Sequence, residues 1–380
     1  MKHYDYLIVG SGLNGATFAY CAAQARRSCL VIDRRPHLGG NVYCEDIEGI
    51  NVHRYGPHIF HTSDKRVWQF VTSLVEFNNF INTPLARSRG RVYNLPFNMN
   101  TFYQMWGVAT PQEAMHIINM QRRESLASMK NDKPRNLEEQ ALLLVGRDIY
   151  ETLIKGYTEK QWGRPCTQLP ADIIRRLPVR FTFDNNYFRD TYQGIPVGGY
   201  NTLIDRLLRH ADTLTGVDFF TDRAYLENCA DHIVYTGPLD QYFDYSEGQL
   251  AWRSVRFEDE IIDNPNHQGV AIVNYTDRHI PYTRIIEHKH FETFGDAVYD
   301  NPCTVISHEY PCEFVSHSDS STSTTMEPFY PINDERNDVM ANRYRELAIQ
   351  ERNVIFGGRL ADYRYYDMDK VIGKALQAEF

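Results

Sequence analysis

The sequence predicts an α/β protein in which a discontinuous, Rossmann-like dinucleotide-binding domain carries an inserted helical domain and a twisted antiparallel β-sheet domain. Three observations predict this class. A β-α-β pattern with a glycine-rich turn occupies the first 33 residues, helical patterns dominate residues 98–178, and segments that alternate apolar and polar residues follow between residues 250 and 311. With 380 residues, the chain is long enough for two or three domains.

Composition excludes several classes of function. Hydrophobic residues make up 42% of the chain and charged residues 23%, as in globular proteins, and no apolar run is long enough to span a bilayer. The first residues run directly into a strand pattern without a signal-peptide signature, so we expect a cytoplasmic protein without a membrane partner. The net charge of -9 disfavours nucleic-acid binding. Seven scattered cysteines without a C-x-x-C pair predict neither a metal site nor a disulfide framework.

The first element is a dinucleotide-binding motif. The strand "YDYLIVG" leads into the turn "GSGLNG" (residues 10–15), the helix "ATFAYCAAQAR" and the strand "SCLVID". Gly10 permits the tight turn, Gly12 lets the backbone approach a pyrophosphate, and Gly15 lets the helix pack on the strand. Asp33 lies 23 residues after Gly10, where an acid is expected to bind the ribose hydroxyls. A glycine turn without a ligand is the alternative.

Two further glycine pairs favour FAD over NAD as the cofactor. Arg34 and Arg35 follow the acid, and Gly39-Gly40-Asn41 comes directly after them, where a simple NAD-binding fold requires no second glycine pair. Near the C-terminus, Gly357 and Gly358 precede Arg359, a residue type that binds phosphate through two hydrogen bonds. A plain loop and a surface arginine are the alternatives.

The remaining elements follow in order. Residues 64–75 predict an amphipathic helix with Asp64 near its start, and residues 85–96 a hairpin that turns near Gly90. Helices, a buried strand, alternating strands, a Ser/Thr-rich surface loop at 314–326, a helix, a strand and a closing helix come after it. The predicted dinucleotide-binding domain spans 1–80, 194–243 and 328–380. The helical domain, with a mobile substrate loop, spans 98–178, and the sheet domain spans 81–97, 179–193 and 244–327.

Seven stretches together resemble the bacterial UDP-galactopyranose mutases: "YGPHIFHT", "GYTEKQWG", "RRLPVRF", "NYFRDTYQGIPVGGY", "YTRIIEHKHF", "FYPIND" and "FGGRLADYRYYDM". The resemblance runs from the first strand to the last helix. It implies a flavoenzyme, active when its FAD is reduced, that interconverts UDP-galactopyranose and UDP-galactofuranose for cell-wall polysaccharide. In this family the flavin N5 acts as a nucleophile at the anomeric carbon, and the sugar ring opens and closes again. The resemblance also implies an electron donor and a homodimer.

Residue by residue, the resemblance assigns roles to matching positions. Arg176 and Arg284 correspond to the arginines that clamp the diphosphate and, with Asp367 and His58, form the implied catalytic set. The implied substrate-binding residues, which include a uracil-stacking tyrosine and a loop tryptophan, are Tyr157, Thr158, Trp162, Tyr187, Tyr330 and Tyr365. Besides the glycine-motif residues, the implied cofactor-binding residues are Leu13, His58, Ile59, Asp367 and Met368, while Tyr363 and Tyr366 are expected to pack.

Each assignment has an alternative that the residues alone leave open. Arg284 could pair with Glu287 on its own strand, and Asp367 could only cap the last helix. Three other functions also fit the glycine motifs: a flavin oxidase of the amine-oxidase type, a non-catalytic module that binds FAD or a nucleotide-sugar, and an NAD-dependent dehydrogenase.

Overall fold

The computed structural model describes residues 2–129, 133–174, 177–314 and 326–380. Arg176 and residues 315–325 of the Ser/Thr-rich stretch lie outside these ranges. The chain divides into two compact units. Unit 1 comprises the described residues of Met1–Phe80, Asp190–Arg253 and Ser316–Phe380, and unit 2 those of Ile81–Arg189 and Ser254–Val315.

The strands are β1 (Tyr4–Val9), β2 (Cys29–Asp33), β3 (Cys44–Ile47), β4 (Ile50–His53), β5 (Phe60–Thr62), β6 (Leu85–Ser88), β7 (Arg91–Asn94), β8 (Tyr192–Gly194), β9 (Asp212–Thr215), β10 (Ala230–Tyr235), β11 (Trp252–Ile262), β12 (Ile272–Tyr275), β13 (Arg284–Glu287), β14 (Thr304–Glu313), β15 (Tyr330–Pro331) and β16 (Val354–Phe356). The helices are α1 (Leu13–Gln24), α2 (Lys65–Leu74), α3 (Met99–Trp106), α4 (Pro111–Ser128), α5 (Leu137–Val145), α6 (Arg147–Ile149), α7 (Lys155–Trp162), α8 (Tyr200–Leu208), α9 (Arg223–Glu227), α10 (Leu239–Tyr242), α11 (Glu335–Gln350) and α12 (Met368–Ala375).

Unit 1 is built on a parallel five-stranded sheet in the order β16-β10-β1-β2-β9. Leu7 and Ile8 in β1 are fully buried, which explains why this strand is a continuous apolar run. The strand order reverses at β1, and open α/β sheets bind ligands beyond the carboxyl ends of their strands at such a point. The predicted helix after residue 64 forms as α2, and the Asp64 side chain accepts a hydrogen bond from Arg66 N at its start.

Unit 2 contains a mixed sheet in which β11, β14, β13, β12, β6 and β7 follow one another. The predicted hairpin at Gly90 is confirmed as the antiparallel β6–β7 pair, and Arg89 and Gly90 both have positive φ angles, as a tight hairpin turn requires. The pairs β12–β13 and β13–β14 are antiparallel, but β12 and β6 run parallel. The sheet that was expected to be antiparallel therefore contains one parallel pair, where two strands distant in sequence meet.

Helices α3 to α7 form the helical part of unit 2. Thr110 and Glu113 form a capping box before α4, and Asn98 and Thr101 form one before α3. A π-helical turn, Tyr150–Ile154, joins α6 to α7. One apolar core joins these helices to the hairpin, through residues that include Tyr93, Phe102 and Ile149. The three-domain boundaries stay a prediction. Within the described ranges, no helix has both the length and the apolar character needed to cross a bilayer.

Candidate active site

A cleft of unit 1 lies at the carboxyl ends of β1, β2 and β10. It encloses about 1180 Å³ including its open mouth. The structure brings most of the predicted cofactor residues to its wall: Gly10, Gly12, Leu13, Asp33, Arg34, Gly39, Gly40, Asn41, His58, Gly358, Arg359 and Met368.

Two glycine motifs meet in this cleft. A Cβ atom built on Gly40 would lie 2.9 Å from Gly12 Cα, and Gly40 has a φ of +55°. The second glycine pair is therefore packed backbone to backbone against the turn that precedes α1. A Cβ atom on Gly15 would lie 2.1 Å from Gly10 O, so Gly15 serves helix packing and does not line the cleft. Gly12, Leu13 and Asn14 line the cleft at the α1 N-terminus, and backbone N–H groups at such a terminus can bind a phosphate.

Asp33 is 8% exposed and is held by its neighbours. Its Oδ2 atom accepts hydrogen bonds from Ser11 N at 2.9 Å and Ser11 Oγ at 2.6 Å, and its Oδ1 atom accepts one from Arg35 N at 3.0 Å. A carboxylate can accept about four hydrogen bonds. Asp33 therefore keeps acceptor capacity for a ribose hydroxyl.

Glu327 also lines this cleft and was not expected there. It forms ion pairs with Arg34 and Arg35, and Arg35 also stacks on the Tyr55 ring at 4.1 Å. Burial opposes ionisation of Glu327, but the charges of Arg35 and Arg34 prevail and lower its pKa. Glu327 is 293 residues from Arg34 along the chain, so the residues around it do not predict this ion pair.

The cleft fits a bound dinucleotide because it contains buried cationic nitrogens without hydrogen-bond partners. Among the described residues, Arg35 Nη1 and Arg359 Nε are buried and have no acceptor. Buried polar groups are normally satisfied, and phosphate or ribose oxygens are suitable acceptors. His58 Nδ1 lies 2.7 Å from Gly56 O, so Nδ1 carries a proton and Nε2 is the acceptor of the neutral ring. Ile59 is buried, and neither it nor Asp367 lines the cleft.

The stretch from Gly358 to Met368 divides into a buried and an exposed part. Tyr363 is fully buried, and its hydroxyl donates to Ala251 O at 2.6 Å and to Ile332 O at 3.0 Å. Tyr365 is 55% exposed, and its ring lies 4.4 Å from the Arg359 guanidinium and 5.8 Å from the Tyr330 ring. The expected packing role of Tyr363 thus fits its burial.

Tyr366 does not only pack, because it lines the cofactor cleft, and its hydroxyl donates to Asp362 at 2.5 Å. Asp367 occupies the N-cap position of α12, yet its exposed side chain makes no capping hydrogen bond. The alternative that its carboxylate only caps this helix is therefore not supported.

A second pocket lies wholly within unit 2. The helix α7 contributes Tyr157, Thr158, Gln161 and Trp162 to its wall, and β12 contributes Asn274. Asn274 Oδ1 is buried and has no partner among the described residues. Sequence reasoning missed Asn274, although a polar residue between Val273 and Tyr275 in an apolar strand was an available signal. Stacking side chains beside one buried acceptor suit a flat ring that carries an N–H group.

Cationic and phenolic groups adjoin this pocket. Arg284 Nε donates to Glu309 Oε2 at 2.7 Å, so its partner is a carboxylate on β14 and not Glu287. Burial raises the pKa of Tyr157 to about 12, with opposing influence from the Arg284 charge and support from Glu309 and Tyr187. Tyr187 lines the same pocket and is 36% exposed. The structure thus brings together Tyr157, Tyr187 and Arg284, whereas Arg176 lies outside the described residues.

Comparison with known proteins identifies the family. A UDP-galactopyranose mutase family model matches residues 152–365, more than half of the chain. The chain belongs to the UDP-galactopyranose mutase family. A model for the NAD(P)-binding Rossmann-like domain matches residues 8–74. The chain is 38% identical to dTDP-fucopyranose mutase of Escherichia coli, over 98% of its own length and 96% of that protein. It is 36% identical to a probable UDP-galactopyranose mutase of Klebsiella pneumoniae, over 99% and 94%.

A solved structure supports the same fold. The chain superposes on a reduced UDP-galactopyranose mutase with a TM-score of 0.72 at 14% identity, covering 99% of this chain and 93% of that one. Membership of the UDP-galactopyranose mutase family makes this chain an enzyme of the isomerase class, and the family together with the Rossmann-like domain implies a flavin cofactor. The family match includes the pocket residues of α7, Arg284 and Tyr365, and it ends before Asp367.

Proposed function

We propose that this chain interconverts UDP-galactopyranose and UDP-galactofuranose with a reduced FAD. The observation that carries the proposal is the grouping in unit 2 of stacking side chains, a buried amide oxygen and a fixed guanidinium, which together match a pyrimidine base followed by a diphosphate. A separate electron donor and a homodimer belong to the same proposal and are supported by the family resemblance; a cytoplasmic location is proposed with them.

Recognition of the base falls to α7 and β12. Tyr157 and Trp162 offer aromatic rings for stacking, and Asn274 Oδ1, which receives no hydrogen bond from the described part of the chain, can accept one from a ligand N–H. Uracil presents such a donor at N3. An unsatisfied buried oxygen costs about 1–3 kcal/mol, so pairing it with this N–H group favours uracil over a base without a donor at that position.

Stabilisation of the diphosphate falls to Arg284 and Tyr187. The ion pair with Glu309 fixes the orientation of the Arg284 guanidinium before substrate binds. When the bond between the anomeric carbon and the diphosphate breaks, negative charge grows on the departing oxygen, and a preoriented cation stabilises that charge most strongly at this moment. Arg176 is proposed as a second cation for the same group. Tyr330 and Tyr365 are also proposed to contact the phosphates, and Asp367 is proposed to lie near the sugar.

The cofactor cleft holds the flavin nucleotide. Arg35 and Arg359 are proposed to donate to its phosphates, and Asp33 to accept from its ribose. When bound and reduced, the flavin supplies a nucleophilic nitrogen, N5, for the anomeric carbon. The reaction exchanges one ring size for another without net oxidation, so the reduced flavin is not consumed.

Activity of the reduced enzyme tests the proposal. Dithionite-reduced protein should convert UDP-galactofuranose to UDP-galactopyranose, resolved by anion-exchange chromatography, while the oxidised protein should convert little. Protein purified gently should also show flavin absorbance. Equal rates in the two redox states would contradict the role of N5, and a flavin-free preparation that cannot be reconstituted with FAD would contradict the cofactor.

A second candidate substrate is the dTDP-fucose pair, because a relative that covers nearly the whole chain is named a dTDP-fucopyranose mutase. Thymine differs from uracil by one methyl group, and apolar side chains such as Leu153, Ile154 and Leu177 line the unit 2 pocket. Measuring kcat/KM for UDP-galactofuranose and for dTDP-fucofuranose on the same reduced preparation distinguishes the two. A tenfold higher kcat/KM for dTDP-fucofuranose would make it, and not UDP-galactofuranose, the better candidate for the physiological substrate.

A further inference from the structure

Lys160 lies in the "GYTEKQWG" segment, yet it does not line the unit 2 pocket. Its Nζ atom donates to Tyr275 O at 2.7 Å and to Tyr282 O at 2.8 Å. Burial lowers the pKa of Lys160 to about 8, and the Asp277 charge opposes this shift. A cation is costly to bury unless its donors are satisfied, and Lys155 on the same helix instead pairs with Glu151 at the surface. Lys160 is half-buried and spends two of its donors on backbone carbonyls, so this placement needs a reason.

The two carbonyls lie on either side of the connection between β12 and β13. Tyr275 ends β12, directly after Asn274, and Tyr282 lies two residues before Arg284. One ammonium group thus joins α7, which carries the stacking residues, to the last residue of β12 and to the loop just before β13. No other cation among the described residues makes this double contact from α7.

The packing around Lys160 makes this junction close and specific. A Cβ atom on Gly156 would lie 2.2 Å from Thr276 O, so the backbone of α7 lies directly against the connection. Arg278 on the same connection pairs with Glu159 at 3.2 Å. These contacts set the distance between α7 and the sheet. Lys160 adds hydrogen bonds to the carbonyls on either side of the connection.

We propose that Lys160 is a positioning residue, which acts through the Tyr275 and Tyr282 carbonyls to hold the stacking face of α7 in register with Asn274 and Arg284. The inference rests on the proposed function. A base that is stacked from one element and hydrogen-bonded from another binds well only when the spacing of the two is fixed. Because this spacing serves the bound base in ground and transition states alike, its loss should appear in KM more than in kcat.

The test compares Lys160→Met, Lys160→Gln and the control Lys155→Met with the wild type, with FAD bound. Lys160→Met should raise the Kd for UDP, by isothermal titration calorimetry, and the KM for UDP-galactofuranose roughly tenfold, which is the loss of about one hydrogen bond to a charged group. Its kcat should change by less than about threefold. Lys160→Gln should recover part of the affinity, since its amide can donate to one carbonyl. Lys155→Met should match the wild type.

Three outcomes decide the matter. Unchanged UDP affinity in a folded, flavin-bound Lys160→Met variant would overturn the proposal. Loss of flavin absorbance and of the thermal unfolding transition in both Lys160 variants would also overturn it, because Lys160 would then serve general stability. A wild type that neither binds UDP nor converts the sugar would instead refute the proposed function itself, and the control variant would behave in the same way.

Discussion

Replacing Gly40 by alanine should weaken flavin binding by a mechanism that the structure makes measurable. Gly40 has a φ of +55°, where an alanine costs about 1–2 kcal/mol. The new Cβ atom would lie 2.9 Å from Gly12 Cα, so the two backbones must separate by about 0.5 Å to reach ordinary contact at 3.4 Å. This movement displaces the turn whose N–H groups are expected to bind the pyrophosphate.

Gly49 provides a matched control. It also has a positive φ, +73°, and lies in the turn between β3 and β4, but a Cβ atom there would meet nothing within 4 Å. Gly49→Ala therefore introduces the unfavourable backbone conformation without a steric clash of the new Cβ atom. We expect both variants to lose about 1–2 kcal/mol of unfolding free energy, while only Gly40→Ala also loses cofactor affinity, about tenfold for each 1.4 kcal/mol of lost binding free energy.

The assay is the release of flavin, followed by the rise in its fluorescence as protein is diluted, with urea unfolding in parallel. Flavin affinity that stays at the wild-type level in both Gly40→Ala and Gly49→Ala would refute the argument, because it would show that contact between the two glycine motifs does not shape the cleft. Loss of affinity in both variants would show that backbone strain alone is responsible.

Three further predictions concern other parts of the molecule. Arg284→Ala should lower kcat/KM roughly a hundredfold or more. Because it removes the ion-pair partner of Glu309, which is 1% exposed, it should also destabilise the fold by about 3 kcal/mol. Glu309→Gln keeps the Arg284 cation, so equal kinetics for the two variants would contradict the proposed role of Arg284 at the diphosphate. Tyr363→Phe should cost about 1 kcal/mol in urea unfolding with unchanged KM, whereas Tyr365→Phe should leave stability unchanged and raise KM, and the reverse pattern would exclude the assigned roles. Burial raises the pKa of Asp240 from 3.8 to about 6. The folded state then binds the extra proton, so the unfolding free energy should fall by about 2 kcal/mol as the pH rises from 4 to 6, and a pH-independent difference from Asp240→Asn would disprove this.

Features determined by neighbouring residues could be predicted from the sequence. The strand, glycine turn and helix of residues 4–24, the helix start at Asp64 and the hairpin at Gly90 depend on contacts within a few positions. Arg34, Gly40 and Arg359 were also expected in one site, because the resemblance links motifs that are far apart along the chain. The structure brings them to the same cleft.

Features determined by register between distant segments could not be predicted. Strand β9 has four exposed residues, so no apolar pattern marks it, and it forms because its backbone pairs with β2. The partner of Arg284 is Glu309 because the two are directly opposite each other in the β13–β14 register. The sequence around Lys160 predicts a surface position on a polar helix, because its carbonyl partners lie 115 and 122 residues away.

The parallel sheet of unit 1 also determines when this protein can acquire its cofactor during synthesis. β1 pairs on one side with β10, which begins at Ala230, and β16, which pairs with β10, follows at Val354. At about 5–20 residues per second, a ribosome needs roughly 10–50 s to reach β10 after making β1. During that interval the apolar edge of β1 stays open to chaperones and to aggregation. Because Gly358 and Arg359 complete the cleft, we expect flavin to be inserted only after synthesis has passed Arg359.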